Sequence, residues 1–275
     1  MLKPFIKWAG GKQQLLPIIK NKLPKSYNRY IEPFLGSGAL LLYLEPIVAI
    51  VNDTNEALIN LYTQVRDNPN ELIDAVSMLD KALKESYNPK EYYLIIRDEF
   101  NRQLSTFQND LNSAAHFLFI NKHCFNGLYR VNNSGMFNVP YNNSLRDSFN
   151  RDNILQVSKY LSSNNITIMN KDFWEPCKLA EKGDFVFIDS PYEPIKDNSF
   201  DKYNKDDFDA FDHYRVYDIF KYLTEKGVYC MLTNHNVPII RKRYSKYNID
   251  IIEVHRSINC LGTNRKGEEI IVTNY

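Results

Sequence analysis

The stretch Gly183-Asp184-Phe185-Val186-Phe187-Ile188-Asp189-Ser190-Pro191-Tyr192 limits the fold more than any other part of the chain. Its apolar run is β-branched and aromatic, with a glycine before it and a proline after it. That is the pattern of a buried strand ending in a turn. A carboxylate, a small residue, a proline and an aromatic ring follow the run. In an open α/β sheet, ligands bind at the carboxyl ends of the strands, so Asp189 and Tyr192 stand where chemistry is done. An ordinary strand exit with Asp189 capping a turn fits the same residues, and the stretch alone does not separate the two.

Strand-helix alternation elsewhere supplies the rest of a sheet. Tyr30-Ile31-Glu32-Pro33-Phe34-Leu35-Gly36-Ser37-Gly38 reads as a strand running into a Gly-x-Gly turn, then a helix over 39–44. The third glycine of a dinucleotide fingerprint is absent, which argues against a dinucleotide. Ile47 to Val51 is a second buried strand ended by Asn52-Asp53. An acid there is placed to bond ribose hydroxyls, although capping the helix expected over 56–66 would also explain it. Ile166 to Met169 is a further strand, after which Asp172-Phe173 offers a carboxylate for an adenine amino group and a ring for its face. A helix over 211–223, a strand over 228–232 and a closing hairpin, 249–254 with 270–273, complete the pattern.

Two segments stand apart. The helical periodicity over 68–108 and 114–120 interrupts the alternation and reads as an insertion. Phe125 to Tyr141 alternates, turns at Asn133-Ser134-Gly135 and resumes, as a β-hairpin does. It carries rings, amides and Arg130, groups that stack on bases and read their edges, although an ordinary solvent-side hairpin has the same pattern. The expected organisation is therefore discontinuous: 1–55 with 165–275 as the sheet domain, and 56–164 as a mostly helical domain bearing the hairpin 125–141.

Charge is balanced, 34 Lys+Arg against 33 Asp+Glu, so any site for a polyanion must be local. Lys3, Lys7, Lys12, Lys20, Lys22, Lys25 and Arg29 all precede the first acid, Glu32. Such an arm suits phosphates, and a solvated helix face balanced by distant acids suits it equally. Lys7-Trp8-Ala9-Gly10-Gly11-Lys12 is not a phosphate loop: Ile6 stands where the first glycine belongs and Gln13 where Ser or Thr belongs. Cys124, Cys177, Cys230 and Cys260 show no metal-ligand spacing and read as free thiols. No leader and no apolar stretch of membrane-spanning length is visible, so a soluble intracellular protein is expected.

These motifs, in this order, resemble the Dam-type (D12, class alpha) DNA adenine N6-methyltransferases, nearly end to end. The resemblance rests on Lys7 to Lys12, Glu32 to Gly38, Asn52-Asp53, Phe125 to Arg130, Phe137 to Tyr141, Asp172-Phe173 and Asp189 to Tyr192. It implies a Rossmann-like α/β sheet binding S-adenosylmethionine, with an inserted helical target-recognition domain. Trp8, Ala9, Gly10, Lys12, Phe34, Gly36, Ser37, Gly38, Asp53, Asp172, Phe173 and Asp189 match its cofactor positions. Lys7, Phe125, Asn126, Leu128, Arg130, Asn132, Asn138 and Pro140 match its DNA positions. Asp189, Ser190, Pro191 and Tyr192 match its catalytic motif: a carboxylate and a carbonyl for the amino hydrogens, and a ring to hold a flipped base. Duplex DNA is the implied partner, at GATC or a related site, with a restriction endonuclease as a candidate companion and no metal.

The chain departs from the family twice. Ser190 replaces the first proline of Asp-Pro-Pro-Tyr, keeping the carbonyl while loosening the turn. Asn142-Asn143-Ser144-Leu145 stands where glycine and basic residues usually follow Tyr141. Two other readings share parts of the pattern: a non-catalytic DNA-binding relative, suggested by Ser190, and a protein glutamine methyltransferase, which has a related strand-end motif.

Overall fold

The computed structural model describes residues 1–194, 208–255 and 266–275. Cys260, read above as a free thiol, lies outside these residues.

Seven strands form one sheet: β1 (Tyr30–Glu32), β2 (Val48–Asn52), β3 (Asn165–Met169), β4 (Phe185–Ile188), β5 (Tyr229–His235), β6 (Asn248–His255) and β7 (Lys266–Thr273). Their order is β3-β2-β1-β4-β5-β7-β6. β1 to β5 run parallel, and β7 is antiparallel to both β5 and β6. This is the open, mostly parallel α/β sheet that the strand-helix alternation predicts. Parallel strands need covered faces, and alternation supplies both. Phe185 and Phe187 of β4 enter one core, Val186 and Ile188 the other. Every residue of β4 is buried. Because the strands are parallel, the loops after β1 to β4 emerge at one edge. The edge is split where β1 lies between β2 and β4, because the chain leaves β1 in opposite directions on its two sides.

The helices are α1 (Leu16–Asn21), α2 (Ala39–Leu44), α3 (Glu56–Asp67), α4 (Pro69–Glu85), α5 (Pro89–Ser105), α6 (Leu111–His123), α7 (Arg151–Ser163), α8 (Trp174–Lys178), α9 (Ala210–Glu225) and α10 (Pro238–Arg243). α3 to α7 lie between β2 and β3 in the chain, which is where the inserted segment was expected. Their apolar faces do not make a separate core. Leu58, Leu61, Tyr62, Phe117 and Val157 belong to the cluster that also holds Leu41, Val51 and Phe185. Sequence reading gives no helix for α7, α8 or α10. Among the described residues, no helix is long and apolar enough to cross a membrane, and Cys124, Cys177 and Cys230 are buried free thiols.

The hairpin over 125–141 has a different form from the one expected. It contains a 3-10 turn, Phe125–Gly127, and two isolated bridges, Cys124 with Tyr141 and Val131 with Phe137, in place of a ladder. Side chains of α5 take the bonds a ladder would make. Asn101 accepts from Phe137 N (2.7 Å) and donates to Phe137 O (3.0 Å), and Tyr93 Oη donates to Val139 O (2.8 Å). Pro140 has no N–H to offer. The turn closes as read, with Gly135 N donating to Asn132 O and Asn132 N to Met136 O.

Glu32, ending β1, is 3% exposed and accepts a 2.8 Å bond from Tyr30 Oη. Burial pushes its carboxyl well above the usual range. The Tyr30 bond opposes this, while the charges of Asp189 and Asp53 add to it. Between the ordinary glutamate value and this raised one, the folded state binds a proton that the unfolded state has released. Glu32 therefore costs stability as pH rises through that window, at up to about 1.4 kcal/mol per pH unit. Glu32→Gln keeps an acceptor for Tyr30 and should flatten the loss. Denaturant midpoints from pH 4.5 upward check this, and an unchanged slope would count against a proton held at Glu32.

Candidate active site

The loops leaving β1, β2 and β4 meet at the split edge of the sheet. After β4, Asp189 accepts from two directions on one oxygen. Lys12 Nζ lies 2.9 Å from Asp189 Oδ1, and Thr233 Oγ1 donates to the same atom at 2.6 Å. Lys12 is only 7% exposed and also donates to Gly10 O at 2.5 Å. Its ammonium lies 4.6 Å from the centre of the Tyr192 ring. Tyr192 Oη donates to Glu269 Oε2 at 2.9 Å, and its ring meets His235 edge-on. Burial raises the Tyr192 phenol well above its ordinary value, and the charges of Asp189 and Glu269 add to this. Ser190 is buried, and its hydroxyl has no hydrogen-bond partner among the described residues. Pro191 is exposed beside it.

On the other side, Asp53 Oδ2 accepts from Gly36 N at 2.9 Å and Oδ1 from Asn55 N at 3.0 Å. Burial raises its carboxyl, and these backbone bonds oppose the rise. The helix cap considered for Asp53 falls to Asn55, which accepts from Leu58 N. Gly36 has φ +49, and a Cβ there would come within 2.8 Å of Trp8 Cδ1, so the turn admits the indole only as glycine. Ser37 and Gly38 continue the turn into α2, while Ala9 and Gly10 are exposed. Asn52 ties the neighbouring loops together: Nδ2 donates to Pro33 O and Lys171 O, and Oδ1 accepts from Lys171 N.

Phe34 packs against Phe173, ring centres 4.9 Å apart, and the Arg215 guanidinium covers Phe173 at 4.4 Å. Asp172, after β3, spends both oxygens on Arg215 Nη2 (2.7 and 2.8 Å). Burial would raise its carboxyl, but the bond from Arg215 and one from Trp174 N outweigh this and lower it.

The segment that carries most of the residues read as DNA contacts meets the same arm through Asn121, Gly127 and Tyr129. Lys7 N donates to Asn121 Oδ1, and Asn121 Nδ2 donates to both Lys7 O and Gly127 O. Trp8 stacks on Tyr129 at 5.3 Å and 20°. Phe125, Asn126, Asn132 and Pro140 are exposed, and Leu128 is half-buried. Arg130 Nε donates to Asn138 Oδ1 at 2.8 Å. The unusual Asn142 is structural, since its amide donates to Lys122 O and Cys124 O.

Sequence reading missed Thr233, Glu269 and Arg215. Thr233-Asn234-His235 does end an apolar strand, which was the available signal. Asp80, His123 and Ser148 have the residue types of a nucleophile triad, but Ser148 Oγ bonds Asp80 Oδ1 directly (2.6 Å) and all three are buried. This cluster pins α4, α6 and the segment before α7. Among the described residues, no group of three or more His, Cys, Asp or Glu could hold a metal ion.

With this geometry in place, comparison with known proteins decides the family. The model of the family described as D12 class N6 adenine-specific DNA methyltransferase matches residues 8–258. The chain belongs to this family. Type II methyltransferase M1.LlaDCHI of Lactococcus lactis subsp. cremoris is 42% identical over 100% of this chain and 96% of its own length. Type II methyltransferase M.MjaIII of Methanocaldococcus jannaschii is 39% identical over 100% and 99%. The DNA adenine methylase of Escherichia coli (strain K12) is 29% identical over 99% and 95%. The protein is thus an adenine-specific DNA methyltransferase.

Gly127 is the tightest point between the arm and the 125–141 segment of this methyltransferase. Its φ is +65, and a Cβ would lie 2.7 Å from Lys7 Cβ, too near the backbone for a side chain to swing away. Gly127→Ala should cost at least about 1–2 kcal/mol from the left-handed backbone alone. It should also weaken DNA binding by moving Lys7 and Asn126 apart. Thermal melts and DNA titration check both, and unchanged affinity would mean that the contact is only structural.

Proposed function

We propose that the cleft between the β1, β2 and β4 loops binds S-adenosylmethionine and that Asp189, Ser190 and Tyr192 act on an adenine flipped out of duplex DNA. The observation that carries this reading is the convergence of Lys12, Asp189 and Tyr192 at one strand end, with the same arm seated on segment 125–130. The donor set fits the cofactor: Asp53 for a ribose diol, Phe34 and Phe173 as an apolar wall and Lys12 for a carboxylate. When bound, the cofactor supplies a methyl group on an electron-poor sulfur. Site roles for Trp8, Ala9, Gly10 and the Gly36–Gly38 turn follow from their positions around the same cleft.

The adenine amino nitrogen is a poor nucleophile because its lone pair is delocalised into the ring. An acceptor at each N–H draws that pair back toward the nitrogen. Asp189 supplies one acceptor and the Ser190 carbonyl the other. Asp189 is then in place to take the proton that the nitrogen sheds after transfer. Tyr192 stacks on the flipped base and offsets part of the cost of unstacking it.

Residues 56–164 serve as the target-recognition part, with Phe125, Asn126, Leu128, Arg130, Asn132, Asn138 and Pro140 toward the DNA. The short site is GATC or a relative of it, and the type II names of the relatives support pairing with a restriction endonuclease.

Asp189→Ala should give folded protein that binds DNA and transfers essentially no methyl group from labelled cofactor; turnover near wild type would remove Asp189 from the chemistry. Arg130 and Lys7 should fail differently. A bidentate Arg–guanine pair discriminates by about 1–3 kcal/mol, so Arg130→Ala should relax preference at one guanine. Lys7→Ala should lower binding to all sequences and flatten the salt dependence. Methylation of a library holding every single-base variant of the preferred site reads both, and a proportional loss at all sites in Arg130→Ala would exclude it as the reader.

A further inference from the structure

β5 and β7 pair antiparallel with His235 opposite Glu269 and Thr233 opposite Ile271. Thr233 and His235 are two residues apart on one strand, so their side chains share a face, and Glu269 joins that face from across the ladder. All three reach the loop after β4. Thr233, fully buried, donates to Asp189 Oδ1 at 2.6 Å. Glu269 accepts from Tyr192 Oη at 2.9 Å, and His235 lies edge-on to the Tyr192 ring at 4.8 Å.

The two contacts set different things. Asp189 Oδ1 already serves Thr233 and Lys12, whereas Oδ2 has no partner among the described residues. A carboxylate fixed by one oxygen presents the other in a defined direction. A ring stacked on a base is free to rotate about its own axis, but a bond at the phenol end fixes its tilt. Ser190 lies between them and lacks the stiff ring of a proline, so the loop's own covalent geometry holds it less firmly.

We propose that Thr233 and Glu269 are positioning residues of the methyl-transfer reaction, Thr233 aiming the free oxygen of Asp189 at the target amino group and Glu269 setting the plane on which Tyr192 receives the base. This rests on the reading of Asp189 and Tyr192 given above. Neither residue touches a reacting atom. Each acts through the side chain that does.

The test uses full-length protein and S-adenosylmethionine with two duplexes carrying the preferred site, one with adenine at the target position for the transfer rate and one with 2-aminopurine there for fluorescence. Thr233→Val removes the donor at nearly constant shape. It should lower the single-turnover transfer rate about 10–100-fold, since a small misplacement of a catalytic group costs up to that much. DNA affinity and the 2-aminopurine signal should stay unchanged, and Thr233→Ser should restore most of the rate. Glu269→Leu should alter the 2-aminopurine signal and lower the rate. Glu269→Gln should keep both, and Tyr192→Phe should match Glu269→Leu with no further loss in the double variant.

A wild-type rate in Thr233→Val would overturn the Thr233 assignment. Equal losses in Val and Ser variants, tracking a fall in melting temperature, would show a structural role only and also overturn it. An unchanged 2-aminopurine signal in Glu269→Leu would overturn the Glu269 assignment. If Asp189→Ala stays active, the underlying reading fails. If it is inactive while Thr233→Val is not, the present proposal fails alone.

Discussion

A nearly buried ammonium needs a counter-charge and acceptors close by, and Lys12 finds them at Asp189 and at Gly10 O. That one requirement folds the amino-terminal arm across the end of β4. With Lys12 fixed, Trp8 falls between the Gly36 turn and Tyr129. Lys7 falls against Gly127. The arm therefore touches the Gly36 turn, the Asp189 carboxylate and the 125–141 segment within six consecutive residues, 7–12.

The same requirement explains why a run of like charge does not act as one surface. Lys12 pairs with Asp189, Lys22 pairs with Asp250 at 2.6 Å, and Arg29 bonds Asp184 through Nε and Nη2. Asp184 is itself almost fully buried, so Arg29 serves to neutralise it. Lys7 stays exposed, its backbone bonded to Asn121 and its side chain against Gly127. A basic arm in a neutral protein is thus divided by partners that lie more than a hundred residues away in sequence, which charge counting along the chain does not reveal.

What the sequence made legible follows from local physics. Apolar runs bounded by glycine and proline gave the strands, and parallel connection put Glu32, Asp53, Asp172 and Asp189 at one edge. The left-handed turns at Gly36 and Gly38 were readable because only glycine adopts them cheaply. The failures share a different cause. The hairpin lacks its ladder because Asn101 and Tyr93, on a helix, satisfy its backbone. Thr233 and Glu269 gain their places from register between β5 and β7, which a one-residue slip would reverse. The Arg215 contact with Asp172 joins helix α9 to the loop after β3. These are long-range pairings, and periodicity carries no trace of them.

Ser190 shows how local and long-range terms trade in the loop after β4. Proline at this position would lock one dihedral and leave no hydroxyl to satisfy. Serine leaves the dihedral free and places a buried hydroxyl with no partner among the described residues, which costs on the order of 1–3 kcal/mol. A loop softened in this way keeps one geometry only if its neighbours fix it from outside. The bonds from Thr233 to Asp189 and from Tyr192 to Glu269 do so on either side of Ser190, and Glu193 N, bonded to Asn234 Oδ1, closes the far end. The rigidity that the family's proline supplies within the chain is here supplied across the sheet, by β5 and β7.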